Sequence, residues 1–368
     1  MEQQREHRRQ PVLITGGVGF IGSYLAMQLL ERDKDEEVVL FDRDQDLRRL
    51  KGFNVPHGDQ RFDAVKDRLT YVQGDLSLLA HVLALFDNHK PSSVFHLGAL
   101  LSAGAESNPT MGFQVDLVGS WNVLEAARLY CQHRRAPPVK VLFPSTIASF
   151  GKFVTLNDKG LVPNEAVQMP TTMYGVSKAS VERFGEYYAA TARGWVDFRA
   201  VRFPSVVGAS RGPGGTTVYS TLMFQESFLG NPYHPYVAEE TRLDVLYVKD
   251  AINALLRLHD ASAANLKRRV YNIAGVRVVG KAPTARDLAN AVKRVRPDAD
   301  IRFDRLNPQL DETVRGFGVL DDSAAQEWEW PGAHFDLSAD PDKDMAKDFQ
   351  QEVVAYPDRI KSTELFGA

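Results

Sequence analysis

Thr15-Gly16-Gly17-Val18-Gly19-Phe20-Ile21-Gly22 lies between a short apolar run, Val12 to Thr15, and a segment whose Ile21, Leu25 and Leu29 repeat at helical spacing. The order is strand, tight turn, helix. Gly16, Gly19 and Gly22 allow a sharp turn, the approach of a pyrophosphate to bare backbone and close helix-to-strand packing, while the helix start offers unpaired N–H groups to phosphates. Alone the turn is a weak signal, since a chain with 27 glycines can use three of them for structure only. Its surroundings make it specific. A second apolar run, Val38 to Phe41, ends at Asp42, about 20 residues further on, where a carboxylate accepts hydrogen bonds from an adenosine ribose. The predicted cofactor is NAD. Asp42 would repel a 2′-phosphate, so NAD is expected over NADP, with neighbouring Arg43 offsetting part of the repulsion.

Working outward, further apolar runs read as strands at Leu69 to Val72, Val94 to Leu97, Val139 to Phe143 and Phe198 to Phe203, with helical stretches between them. Strands alternating with helices predict an α/β fold, a Rossmann-type doubly wound parallel sheet with a smaller C-terminal substrate-binding lobe. Residues 11–203 form the NAD-binding domain in this reading, and residues 1–10, polar and charged, form a flexible tail that does not resemble a signal peptide. After Phe203 the chain becomes rich in Ser, Gly and Pro and leaves the sheet. Residues 204–368 are expected to build mainly the second lobe, with short returns to the sheet at Val245 to Val248 and Val270 to Ile273. The charged stretch Asp44 to Arg68 is too long for an ordinary connection and is either a local insertion or a poorly ordered flap.

A second chemical signal is Tyr174-Gly175-Val176-Ser177-Lys178, which puts a phenol and an ammonium four residues apart on one helical face. A tyrosine titrates near 10, too high for a base at neutral pH unless a cation favours the phenolate, and Lys178 supplies a cation. The same pattern occurs on ordinary amphipathic helices, so its position after the fifth strand matters. That strand runs into Pro144-Ser145-Thr146, which puts small hydroxyls at the carboxyl edge of the sheet, where ligands of open α/β sheets bind. Thr146 is a candidate to hold the reacting oxygen, against the alternative of a simple cap. Asp75, after Gly74, is either an adenine contact or a turn cap.

Composition narrows the class further. Across 368 residues, 44% are hydrophobic and 25% charged with a net charge of −3, so a sizeable core can form and no basic footprint for nucleic acid or an anionic membrane is present. No run reaches the length of a membrane span. Cys131 is the single cysteine, which excludes an internal disulfide and fits a reducing, cytoplasmic setting. No metal is expected, because no histidine has a partner at metal-ligand spacing. His96 is expected to pack near the cofactor and Cys131 to be a buried apolar residue.

Together the Gly16–Gly22 turn, Asp42, Gly74-Asp75, His96-Leu97-Gly98-Ala99, Ser145-Thr146, Tyr174 with Lys178, and Arg202-Phe203-Pro204 resemble the extended short-chain dehydrogenase/reductase, or NAD-dependent epimerase/dehydratase, family over nearly the whole chain. The resemblance implies that Phe20, Ile21, Leu76, Leu97, Gly98, Ala99 and Phe203 also contact the cofactor, and that Lys178 binds it as well. Within the family, Leu101-Ser102-Ala103 with Glu106, Asn108 and Pro109, Gly214-Gly215-Thr216-Thr217, and Asp321-Asp322-Ser323 followed by Trp328-Glu329-Trp330 are most similar to the short-chain L-threonine 3-dehydrogenase group. By that resemblance Ser102, Thr146, Tyr174, Thr216 and Thr217 contact the substrate. Two positions depart from the pattern. Val218 stands where the group usually has Asp, and Asp116 stands where the family commonly has Asn.

The expected activity is oxidation of the secondary alcohol of a small hydroxy amino acid or hydroxy acid, with Tyr174, Lys178 and Thr146 as the catalytic set. A nucleotide-sugar epimerase or dehydratase with tightly held NAD is the alternative, and a dinucleotide sensor without turnover is a further one. Gly208-Ala209-Ser210-Arg211-Gly212 matches the nucleophile elbow of serine esterases literally, but Pro213, Gly214 and Gly215 follow where a helix must start. The segment Met111 to Tyr130 is apolar on more than one face, which predicts a homodimer through a helix bundle.

Overall fold

The computed structural model describes residues 10–54, 60–152, 154–191, 194–356 and 360. Most of the expected N-terminal tail, residues 1–9, lies outside the described residues. Among the described residues nine strands are present: β1 (Val12–Thr15), β2 (Val38–Asp42), β3 (Leu69–Gln73), β4 (Ser93–His96), β5 (Val139–Thr146), β6 (Val196–Phe203), β7 (Ser205–Val207), β8 (Val245–Tyr247) and β9 (Val270–Asn272). Seven form one sheet in the order β3-β2-β1-β4-β5-β6-β9, and every pairing in it is parallel. The order reverses between β1 and β4, which opens a crevice at their carboxyl ends, where Thr15 is level with His96.

Alternation along each strand feeds two cores. Ile14, Leu40, Phe95, Leu142 and Val201 point to one face, packing with the helices Phe20–Arg32 and Val248–Asp260. Leu13, Val39, Val94, Val141 and Phe143 point to the other, against the helices Leu79–His89, Gly119–Arg134 and Met173–Thr191. Both faces are dry, which is why the strands read as continuous apolar runs. Among the described residues no helix is long and apolar enough to cross a membrane.

Three features differ from, or sharpen, the sequence reading. Of the two later returns, β9 extends the large sheet, whereas β8 pairs with β7 in a separate two-stranded sheet. Pro204, which has no N–H to give, separates β6 from β7 and lets the chain turn off the sheet. The described part of Asp44 to Arg68 is a packed insertion and not a flap, since Leu50, Phe53, Phe62 and Val65 are buried in the first core. Arg68 fixes its far end by donating to the carbonyls of Leu30, Asp33 and Glu36 at 2.7, 2.8 and 3.1 Å, which closes the end of the helix Phe20–Arg32. Finally, the long helical run from Pro109 to Arg134 contains a π-helical stretch, Phe113–Val118. Such stretches redirect side chains and recur at functional sites.

Candidate active site

One large cavity of about 930 Å³ opens at the crevice, near the upper end of the size range of small-molecule sites. Every residue singled out from the sequence for cofactor or substrate lies on its wall. The glycine turn forms one end. Gly16 has φ +66°, and a Cβ there would sit 2.7 Å from the Gly98 nitrogen, so the turn and the end of β4 close only around glycine. A Cβ on Gly22 would meet the Gly16 carbonyl at 2.4 Å, which explains the tight helix approach. The helix starting at Phe20 has no side-chain cap, so the N–H groups of its first turn, with Phe20 and Ile21 on the cavity wall, are available to an anion.

Asp42 closes β2 with its carboxylate held by the backbone N–H groups of Val18 and Asp44, each at 3.2 Å. Withdrawal from solvent pushes its pKa up, and those N–H groups pull it back. Arg43 stands exposed on the rim. Asp75 serves its own turn, accepting from the Ser77 nitrogen and hydroxyl at 2.8 Å, and also faces the cavity, so both alternatives stand together. Leu76, Leu97, Gly98, Ala99 and Phe203 complete the wall between the two ends. Uncapped helix N–H groups, a glycine-rich turn and a positioned carboxylate fit a dinucleotide such as NAD.

At the other end Tyr174 and Lys178 project from the first turns of the helix Met173–Thr191. Lys178 Nζ donates to the Pro144 carbonyl at 2.9 Å and lies 4.3 Å from the Phe143 ring centre and 5.6 Å from that of Tyr174. Burial pushes this ammonium down to about 8, while Asp116 and Glu182 hold it up. Desolvation pushes the Tyr174 phenol up, the Asp116 carboxylate adds to the rise, and the Arg211 guanidinium opposes it. From the sequence, Lys178, helped by the positive ring of oxidised nicotinamide, is the cation expected to favour the phenolate. In the structure the cation that opposes the rise is Arg211, while the Lys178 ammonium is engaged by the Pro144 carbonyl and the Phe143 ring.

Thr146 ends β5 and caps the short helix Ile147–Ser149, accepting from the Ala148 nitrogen at 3.2 Å while facing the cavity. Ser102, Thr216 and Thr217 line the same end. Thr217 Oγ1 accepts from the Ser205 hydroxyl at 2.7 Å, and the Thr216 carbonyl accepts from the Tyr236 hydroxyl at 2.7 Å. The helix that carries Tyr174 is locked to the sheet from below. Glu182, buried on that helix, takes a bidentate bond from Arg202 of β6 and a short one from the Ser145 hydroxyl of β5.

Asp116 sits in the π-helical stretch, with Oδ1 accepting from the Leu100 nitrogen at 2.7 Å and Oδ2 buried without a partner among the described residues. Burial pushes its carboxyl up to about 6, against the pull of the Lys178 charge and the Leu100 N–H. His96 is buried between the Thr15 and Ser120 hydroxyls at 2.7 and 2.8 Å, and burial drives it down to about 3. It is a neutral packing residue off the cavity wall. Ser210 is wholly buried and does not line the cavity, and the next helix begins only at Tyr219, so the elbow pattern has no structural counterpart.

Sequence reasoning missed Arg49 and Arg211. Arg49 comes from the insertion, reaches the Val18 carbonyl at 3.5 Å and lies beside Gly212 across the crevice. Arg211 was read only as part of the elbow pattern. Neither has a periodic or spacing signal, since a four-residue helix, Arg48–Lys51, brings Arg49 to the cavity and a loop brings Arg211.

The chain belongs to the NAD-dependent epimerase/dehydratase family, whose model matches residues 12–274. It is an NAD-dependent oxidoreductase of the extended short-chain type. Among its relatives, the mitochondrial L-threonine 3-dehydrogenase of Bos taurus is 30% identical over 328 residues, covering 88% of this chain and 79% of the relative. An uncharacterized epimerase/dehydratase of Staphylococcus haemolyticus is 32% identical over 267 residues, 72% of this chain and 76% of the relative. The solved L-threonine dehydrogenase of Clostridium difficile superposes with a TM-score of 0.77 at 28% identity, covering 94% of this chain and 98% of that one.

Proposed function

We propose that this oxidoreductase oxidises the secondary alcohol of a small hydroxy amino acid or hydroxy acid of about the size of L-threonine. The observation that carries the reading is the convergence of Tyr174, Thr146, Ser102, Thr216 and Thr217 on one end of a cavity whose other end is the glycine turn. Similarity to L-threonine dehydrogenases supports it. Val218, buried and apolar, leaves the paired-threonine loop without a carboxylate, which supports the hydroxy-acid half of the reading.

In the proposed reaction Thr146 Oγ1 holds the substrate hydroxyl, and Tyr174 Oη removes its proton. NAD, when bound, supplies the hydride acceptor and, in its oxidised form, a positive ring beside the phenol. Lys178 and Arg211 hold positive charge near the phenol, and the Glu182–Arg202 pair keeps the helix in place. NAD is proposed over NADP because of Asp42. The test is NAD reduction across L-threonine, related hydroxy amino acids and sugar acids. NADH accumulating with one of them supports the reading; none doing so rejects it. The family match and the cavity volume also support a nucleotide-sugar epimerase, for which NADH would not accumulate and an epimer would form instead.

Asp116 tunes the pH response in this scheme. Its negative charge raises both the Tyr174 phenol and the Lys178 ammonium. Asp116→Asn removes that charge, so both groups titrate lower. The whole bell of kcat/KM against pH therefore moves toward lower pH in the variant. An unmoved or upward-shifted profile contradicts the assignment.

A homodimer is proposed as the working form. Phe113 and Trp121, eight residues apart on one helical run, are exposed at 44% and 37%, and Val176 and Tyr187 on the neighbouring helix at 42% and 61%. Exposed aromatics of this kind mark a face that a second copy covers. Sedimentation at micromolar concentration is expected to give a dimer that Trp121→Glu weakens. A wild-type monomer contradicts the proposal. The single cysteine, buried at position 131, is consistent with the proposed cytoplasmic setting.

A further inference from the structure

Arg211 sits in the loop that follows β7, half-buried on the cavity wall. Nη1 donates to the Val206 carbonyl at 2.7 Å, to the Ser205 hydroxyl at 3.3 Å and to Thr221 Oγ1 at 3.5 Å. The same Ser205 hydroxyl donates to Thr217 Oγ1. A Cβ on Gly215 would come within 3.3 Å of Nη2, so the bare glycine leaves that edge of the guanidinium open to the loop carrying Thr216 and Thr217.

The charges that act on Arg211 come from two phenols, Tyr236 and Tyr174, and no carboxylate is among them. Desolvation lowers it to about 10, so it is still a cation at neutral pH. The acids on the cavity wall stand elsewhere. Asp42 and Asp75 line the end near the glycine turn, and Asp244 is saturated by Arg277, the Gly275 nitrogen and the Leu320 nitrogen. Asp116, which does not line the cavity, acts on Tyr174 and Lys178 and not on Arg211, so among the described residues no carboxylate of the cavity wall is left to pair with Arg211. A cation withdrawn from water without a counter-ion is costly, and an anionic ligand removes that cost.

We infer that Arg211 is the anion anchor of the substrate, receiving its carboxylate while the hydroxyl carbon rests between Thr146 and Tyr174. The ligand class is a small hydroxy acid ionised at its carboxyl, with the hydroxyl one or two carbons away. Among the described residues no carboxylate of the cavity wall at that end is free to pair with an ammonium on the same molecule. The inference rests on the alcohol-oxidation reading and specifies which substrates that reading covers.

Malonate, an anion with no alcohol to oxidise, is the probe. It is titrated into the NAD⁺-saturated full chain by calorimetry for wild type, Arg211→Ala and Arg211→Lys. Wild type binds it, Arg211→Ala loses about a hundredfold in affinity, and Arg211→Lys keeps part of it. Added guanidinium restores malonate binding to Arg211→Ala, which a purely structural arginine would not produce. Equal affinity in wild type and Arg211→Ala, or no binding to wild type, overturns the inference. If Arg211→Ala loses NAD⁺ as well, Arg211→Lys decides. Weaker malonate binding with NAD⁺ affinity kept supports the anchor, and both falling together overturns it. Failure of the broader reading looks different: a wild type that binds malonate yet forms no NADH from any hydroxy acid.

Discussion

Replacing Tyr174 with Phe lowers turnover by about 10²–10⁴, the usual contribution of a positioned acid–base group, and leaves NAD binding nearly intact. The two rings have the same footprint, so the first turn of the helix Met173–Thr191 keeps its packing and only the hydroxyl is lost. The pyrophosphate end of the cavity, built by Gly16, Gly19 and the uncapped helix start, is remote from the change. The loss should appear in kcat, because the surroundings that push the phenol up also make its proton transfer depend on Arg211 and the cofactor charge. Single-turnover kinetics with tryptophan-quenching titration of NAD separates the two terms. Unchanged turnover in Tyr174→Phe removes the phenol from the mechanism.

The second large effect is cofactor choice. At about 4 Å and an effective dielectric near 20, a carboxylate and one phosphate charge repel by about 4 kcal/mol. Exposed Arg43 and salt screen part of this, so the wild type should favour NAD over NADP by about 10²–10³ in kcat/KM. Asp42→Ala should narrow that ratio to about tenfold or less while weakening NAD itself through the lost ribose contacts. The Asp42 carboxylate also holds the Val18 and Asp44 nitrogens, so a modest drop in stability accompanies the change. A wild type that prefers NADP contradicts the role given to Asp42.

Much of this was legible because the parallel sheet is dry on both faces. Val12–Thr15 and Val38–Phe41 are uninterrupted apolar runs, and the loops at their carboxyl ends carry the glycines and the acid in fixed order. β5 runs further than its apolar stretch, to Thr146, and includes Pro144. That is tolerated because the β4 ladder ends at the Phe95–Leu142 pair, short of the proline. What escaped depends on long-range contact. β8 reads like a sheet strand, but its partner is β7 and not β6. The π-helical stretch that aims Asp116 has no sequence period of its own, and Arg49 and Arg211 reach the cavity only through the way a short helix of the insertion and a loop fold back. The packed insertion was hidden by its charged surface residues, with Leu50, Phe53 and Phe62 too widely spaced to read as an element.

The account stands most directly on where the nicotinamide sits. A crystal structure of the chain with NAD⁺ is predicted to show the pyrophosphate at the Gly16–Gly22 turn, the adenosine ribose on Asp42, and the nicotinamide ring beside the Tyr174 hydroxyl with its ribose within reach of Lys178. A nicotinamide bound away from Tyr174, or a chain that takes up no dinucleotide, would contradict it.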